Sequence, residues 1–115
     1  MKKFDEIAFD YKRCCIEFAE FRTLLETKVE LGEAADILPF FKERRQLSML
    51  LGMFNSRIAW ADRIAYEFDV FGDFACDLAV GEFASGSYCF IEFEDARENS
   101  VFEKQGKKAT REWWP

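Results

Sequence analysis

The run Ile64-Ala65-Tyr66-Glu67-Phe68-Asp69-Val70-Phe71 alternates apolar and polar residues and is followed at once by Gly72-Asp73. Period-two alternation puts the apolar side chains on one face of a β-strand, and a Gly-Asp pair at its end favours a turn. Phe74 to Val80 (FACDLAV) reads as a second strand. Gly81 to Ser87 contains two glycines and two serines and reads as a hairpin loop. Tyr88 to Glu94 (YCFIEFE) is a third strand, rich in aromatic and β-branched residues. Consecutive strands with short connections pair antiparallel, so a three-stranded antiparallel sheet is expected here.

Upstream of this block the period changes to that of helices. Phe4, Ile7, Tyr11, Cys14, Phe18, Phe21 and Leu25 recur at spacings of three and four, predicting one helix over residues 4 to 28 with a single apolar stripe. The same spacing is a heptad seam, but its aromatic positions suit packing onto another helix better than a two-stranded zipper. Gly32 ends the pattern. A second helix is expected after Asp36 as N-cap, with Pro39 in its first turn. It continues through Phe40, Phe41, Arg44, Leu47, Leu50, Leu51 and Phe54 and stops at Asn55-Ser56. Downstream, Asn99 to Trp113 reads as a helix despite Gly106. The expected class is α+β, a single domain over 1–115. Its helical part covers 1–56 and its β-β-β-α part covers 57–115.

Fourteen phenylalanines in 115 residues are more than so small a core can hide. Some should therefore form an interface, and a homo-oligomer is expected. Cys14, Cys15, Cys76 and Cys89 show no CxxC spacing and sit in apolar stretches, so buried free thiols are expected. The chain has no histidine, which excludes Ser-His-Asp and Cys-His catalysis and imidazole-ligated metals. A net charge of −6 argues against coating nucleic acid with the whole surface, though not against a local basic face. No apolar run reaches the roughly 20 residues a bilayer span needs. The opening Met-Lys-Lys-Phe-Asp-Glu has no signal-like apolar segment, so no membrane and a cytoplasmic location are expected.

Side-chain alternation puts Asp73, Ala75, Asp77 and Ala79 on one face of the second strand, and Glu92 and Glu94 on one face of the third. Antiparallel pairing can bring Asp77 beside the two glutamates. Carboxylates converging this way repel unless a cation or proton lies among them, and an all-oxygen set suits Mg²⁺ or Mn²⁺. The other reading is a solvated sheet face that keeps the protein soluble. On the last helix, Lys104, Lys107, Lys108 and Arg111 fall on one face, a stripe suited to phosphate contact. It can equally be a solvated face paired with Glu103 and Glu112.

IAYEFDVFGDFACDLAVG (64–81) followed by YCFIEFEDARENSVFEKQGKKATREW (88–113), with DILPFFKERRQLSMLLG upstream, resembles the nuclease core of Shedu-type antiphage defence proteins. Those proteins are similar to the PD-(D/E)XK superfamily, whose signature is an acid on one strand and acid-x-Lys on the next. The resemblance implies Asp77 and Glu92 as Mg²⁺ or Mn²⁺ ligands in a catalytic set with Glu94, Lys104 and Lys107. Glu94 stands where the lysine is expected, so Lys104 or Lys107 would supply the ammonium, and Glu67 is a weaker candidate for an additional acid. It further implies DNA as substrate, held by Lys104, Lys107, Lys108 and Arg111, and hydrolysis of phosphodiester bonds. Relatives of this kind continue past the helix, whereas this chain stops at Trp113-Trp114-Pro115. That stop and the absent acid-x-Lys lysine favour the rival expectation, an inactive or truncated nuclease-fold module acting in oligomerisation or interaction.

Overall fold

A computed structural model describes residues 3–97 apart from 29, 71, 73 and 95. The described chain is mixed α+β. Its elements are β1 (Asp5–Glu6), α1 (Tyr11–Thr27), β2 (Glu30–Leu31), a π-helical turn (Glu33–Ile37), α2 (Leu38–Lys42), α3 (Arg45–Gly52), β3 (Arg63–Val70), β4 (Phe74–Glu82), β5 (Ser87–Ile91) and β6 (Ala96–Arg97).

The meander is present, but the third strand, expected to reach Glu94, ends at Ile91, so Glu92 and Glu94 lie beyond it. Gly81, Glu82 and Ser87, expected in the hairpin loop, belong to strands. β3 and β4 pair antiparallel from Arg63↔Gly81 to Val70↔Phe74, and β4 pairs with β5 from Leu78↔Ile91 to Glu82↔Ser87. The turn between β4 and β5 closes with Gly86 N–H donating to the Glu82 carbonyl at 3.0 Å. Gly86 sits there at φ 69, a left-handed conformation in which a Cβ would be strained. The sheet has four strands rather than three, in the order β1-β3-β4-β5, because Asp5 and Glu6 pair with Ile64 and Arg63. β2 and β6 form a separate two-stranded ladder.

That fourth strand corrects the first helix. Phe4 and Ile7 have helical spacing but lie outside α1. Phe4 packs on Phe68 and Tyr88, with ring centroids 4.6 and 4.9 Å apart, and Ile7 packs against the main core. The helix begins after Asp10, whose carboxylate accepts the Arg13 N–H at 3.2 Å. Its buried face holds Cys14 and Glu17, while Tyr11, Phe18 and Leu25, expected on the apolar stripe, are exposed. The second expected helix is broken. Asp36 is not an N-cap but folds back within the π-turn, where its carboxylate accepts the Gly32 N–H at 2.8 Å and Lys28 Nζ at 2.7 Å. These two bonds hold its carboxyl below the usual range, Lys28 contributing most. The chain then breaks again at Glu43 and Arg44. The expected helix over 99–113 lies outside the described residues.

The helices and the sheet share the main core of Met49, Ile58, Ala61, Ile64, Leu78 and Val80. Gly52, at the end of α3, comes so close to β4 that a Cβ there would lie 2.3 Å from Val80 Cγ1. A second cluster of Leu31, Ile37, Phe41 and Leu47 joins the helices to one another, with Phe21 and Leu24 of α1 packed against it. Cys14 and Cys76 are buried as expected, Cys89 is half-buried, and Cys15 is exposed, which corrects that expectation. Among the described residues, no helix is long and apolar enough to cross a membrane.

Candidate acidic site

The β4–β5 ladder ends at Leu78↔Ile91. One further step in the same register sets Asp77 opposite Glu92. Leu78 and Ile91 both belong to the main core beneath the helices. Alternation carries Glu92 to the other face, but it does not place Asp77, whose neighbours fall in different clusters: Cys76 packs with Val70 and Ala79, and Leu78 with the main core. Asp77 is half-buried and Glu92 exposed. One Asp77 oxygen, Oδ2, accepts the Phe93 N–H at 2.7 Å. Phe93 in turn stacks on Phe41 of α2 at 4.9 Å. Asp77 is thus held where the chain leaves β5.

On the other side of β4 the same row reaches β3. Tyr66 pairs with Leu78 and Phe68 with Cys76, but the ladder skips Glu67, which lies between them and across from Asp77. Glu67 has φ 51, a left-handed conformation uncommon for a residue with a Cβ. The flip interrupts alternation. Tyr66 reaches α2 and α3 through its hydroxyl, while Phe68 meets Phe4 and Phe90. Glu67 Oε2 pairs with Lys42 Nζ of α2 at 2.6 Å. Glu67, Asp77 and Glu92 therefore form one row across three strands. Among the described residues, however, no three His, Cys, Asp or Glu side chains group closely enough to hold a metal ion.

Glu92 makes itself felt at Cys76. Burial pushes that thiol upward, hydrogen bonds from the Phe68 and Ile91 backbone oppose this, and the nearby Glu92 charge adds to the rise. Glu94 is exposed beyond the end of β5. Lys104, Lys107, Lys108 and Arg111 lie outside the described residues. Lys42 was not legible as a site residue, because it reaches Glu67 from a helix 25 positions away. Spacing along one element carries no signal for such a pair.

A second surface feature lies at the start of α1, an apolar pocket of about 390 Å³ lined among others by Phe9, Tyr11, Cys15, Phe18, Met53 and Trp60. Phe9 and Trp60 meet edge to face at 5.0 Å.

No family model, curated protein or solved structure matches this chain.

Proposed function

We propose that this chain is a metal-dependent nuclease of the PD-(D/E)XK, Shedu-like kind, hydrolysing DNA phosphodiester bonds in antiphage defence. The observation that carries the reading is the register: continued one step, it sets Asp77 opposite Glu92, with Glu67 across β4 from Asp77. The donor set fits a hard divalent cation: it is all oxygen, anionic and reachable by water. Asp77 and Glu92 hold Mg²⁺ or Mn²⁺ in this proposal. A bound ion of that kind polarises a phosphate and lowers the pKa of its water. The Phe93 N–H fixes the direction of the Asp77 carboxylate, so the ligand needs little reorganisation. Lysine charge beside the scissile phosphate stabilises the transition state. Lys104 and Lys107 are assigned that role, with Lys108 and Arg111 on the strand, and Lys42 stands beside the row already.

The test uses Asp77→Asn and Glu92→Gln. The first of these is conservative because an amide oxygen still accepts the Phe93 N–H while the charge is lost. Mn²⁺ should raise the melting temperature of the unaltered protein in proportion to binding. Both variants should lose that rise, and with it Mn²⁺-dependent cleavage of DNA. An equal rise in all three proteins, or none in any, rejects the site.

A second reading is favoured by two observations: Glu67 is already engaged by Lys42, and large aromatics such as Phe54, Trp60 and Phe83 are exposed. In it the sheet is a degenerate nuclease scaffold serving interaction. Cation binding without cleavage is the outcome that selects it.

A further inference from the structure

The two edges of the four-stranded sheet differ in chemistry. β1 is two residues long and wholly acidic. Its carboxylates are met by arginines, Asp5 by Arg45 at 2.8 Å and Glu6 by Arg63 at 3.7 Å. A short charged edge discourages further strand pairing. β5 forms the other edge and runs for five residues, Ser-Tyr-Cys-Phe-Ile, with neither charge nor proline. Among the described residues no strand pairs with its outer side.

An antiparallel strand uses the backbone groups of alternate residues toward one neighbour and presents the rest outward. Water or another extended backbone can satisfy such a row, and a strand is the partner its geometry fits. The side chains point the same way. Tyr88 and Phe90 are 38% and 47% exposed on the face away from the helices. Phe90 stacks with Phe68 at 6.2 Å, and Phe4 bridges Phe68 and Tyr88. The aromatic stripe ends in the open at β5.

We propose that β5 pairs antiparallel with β5 of a second copy of this chain, about a two-fold axis normal to the sheet at Cys89. Such an axis keeps each face of the sheet on its own side, so paired residues must come from the same face. Centring on Cys89 meets that condition and pairs the whole strand. Ser87 lies opposite Ile91 of the other copy, and Tyr88 lies opposite Phe90. Shifted registers that keep the faces leave part of β5 unpaired. The cross-strand Tyr–Phe contact occurs twice and carries the aromatic stripe from one copy into the next. Glu92 falls opposite Gly86, so no carboxylate meets another across the strand pair.

Sedimentation velocity of the full chain over a concentration series reads the association directly. The unaltered protein should dimerise. Y88K/F90K sets ammonium against ammonium twice and should weaken the dimer by about tenfold or more. Y88K/F90E sets ammonium against carboxylate at the same positions and should recover most of that loss. Both variants remove the same ring contacts with Phe4 and Phe68, so comparing them cancels the cost to the fold, which circular dichroism checks. A monomeric unaltered protein, or folded variants that associate equally, overturns the proposal. Should either variant fail to fold, amide hydrogen exchange in the unaltered chain decides. Protection of β5 that grows with association supports the pairing, and protection that ignores it refutes the pairing.

Discussion

Tyr66 joins the sheet to both short helices through one oxygen. Its hydroxyl lies 2.7 Å from the Phe41 carbonyl and 2.8 Å from Ser48 Oγ, which is itself 2.8 Å from the Arg44 carbonyl. One phenolic proton and one serine proton serve these contacts. The phenol donates to the Phe41 carbonyl or to Ser48 Oγ, and the serine hydroxyl has the Phe41 and Arg44 carbonyls and the phenol oxygen within reach as acceptors. Burial pushes the phenol up to about 12, and the Ser48 hydrogen bond pulls it part of the way back. An unfolded tyrosine ionises near 10. The folded state thus holds its proton where the unfolded state loses it. The corresponding stability is complete below about pH 10 and is lost as pH rises toward about 12, with a slope approaching ~1.4 kcal/mol per pH unit. Denaturant unfolding of Tyr66→Phe alongside the unaltered protein isolates this slope, because the raised thiols of Cys14 and Cys76 act equally in both. Parallel curves for the two proteins between about pH 9 and about pH 11 would show that the phenol is not buried as described.

Helices α1 and α3 cap each other. The N-cap of α3, Arg44, makes no side-chain cap bond. Glu17 of α1, only 4% exposed, supplies it: Oε1 accepts the Leu47 N–H at 2.8 Å while Oε2 accepts Arg13 Nε at 3.0 Å. In return Gln46 of α3 reaches the start of α1, its Oε1 accepting the Asp10 N–H at 2.7 Å and its Nε2 donating to the Ala8 carbonyl at 3.1 Å. Glu17→Ala should therefore cost ~2–3 kcal/mol, because a buried N–H loses its partner and α3 loses its cap. Glu17→Gln, which keeps an acceptor, should cost less. In a double-mutant cycle with Gln46→Ala the two losses should couple by at least ~0.5 kcal/mol. Strict additivity would mean the two caps act independently. None of this was legible from periodicity, which marked Phe18 for the core and passed over Glu17. The strands were legible because the alternation in 64–71 and the turn residues at 72 and 86 specify one local structure. The start of α1 was not, since Phe4 and Ile7 fit a helical stripe as well as they fit a sheet edge. Nor was the break at Arg44, since Phe40, Arg44, Leu47 and Leu51 keep helical spacing through it when the arginine is counted in the row. The same division holds at the acidic row. A short hairpin makes the Asp77–Glu92 adjacency readable, whereas the left-handed Glu67 and its Lys42 partner depend on packing between distant elements.

Over the whole molecule, burial is concentrated in the sheet's centre rather than shared evenly. Leu78, Ala79 and Val80 are 0% exposed, and β4 is paired on both sides. α1 is different. Only Cys14 and Glu17 are fully buried along it, and Tyr11, Ile16, Phe18 and Leu25 face outward. Its attachment rests on the caps at its first turns and on Phe21 and Leu24 against the second cluster. Regions with few buried contacts open locally at a free-energy cost below that of global unfolding. Native-state hydrogen exchange should therefore find its slowest amides in the paired centre of β3 and β4, exchanging only through global unfolding. Amides in the last two turns of α1 should exchange at least about tenfold faster, a gap of ~1.4 kcal/mol. Denaturant should erase that gap as global unfolding takes over. The contrast bears on the acidic row, because Asp77 lies in the strand expected to open last while Lys42 and Phe93 reach it from the helical side. A site on that scaffold keeps the Asp77–Glu92 register even when the helices loosen. Equal protection in α1 and β4 across the denaturant series would instead make the helices and sheet one cooperative unit, and the row would be lost with either.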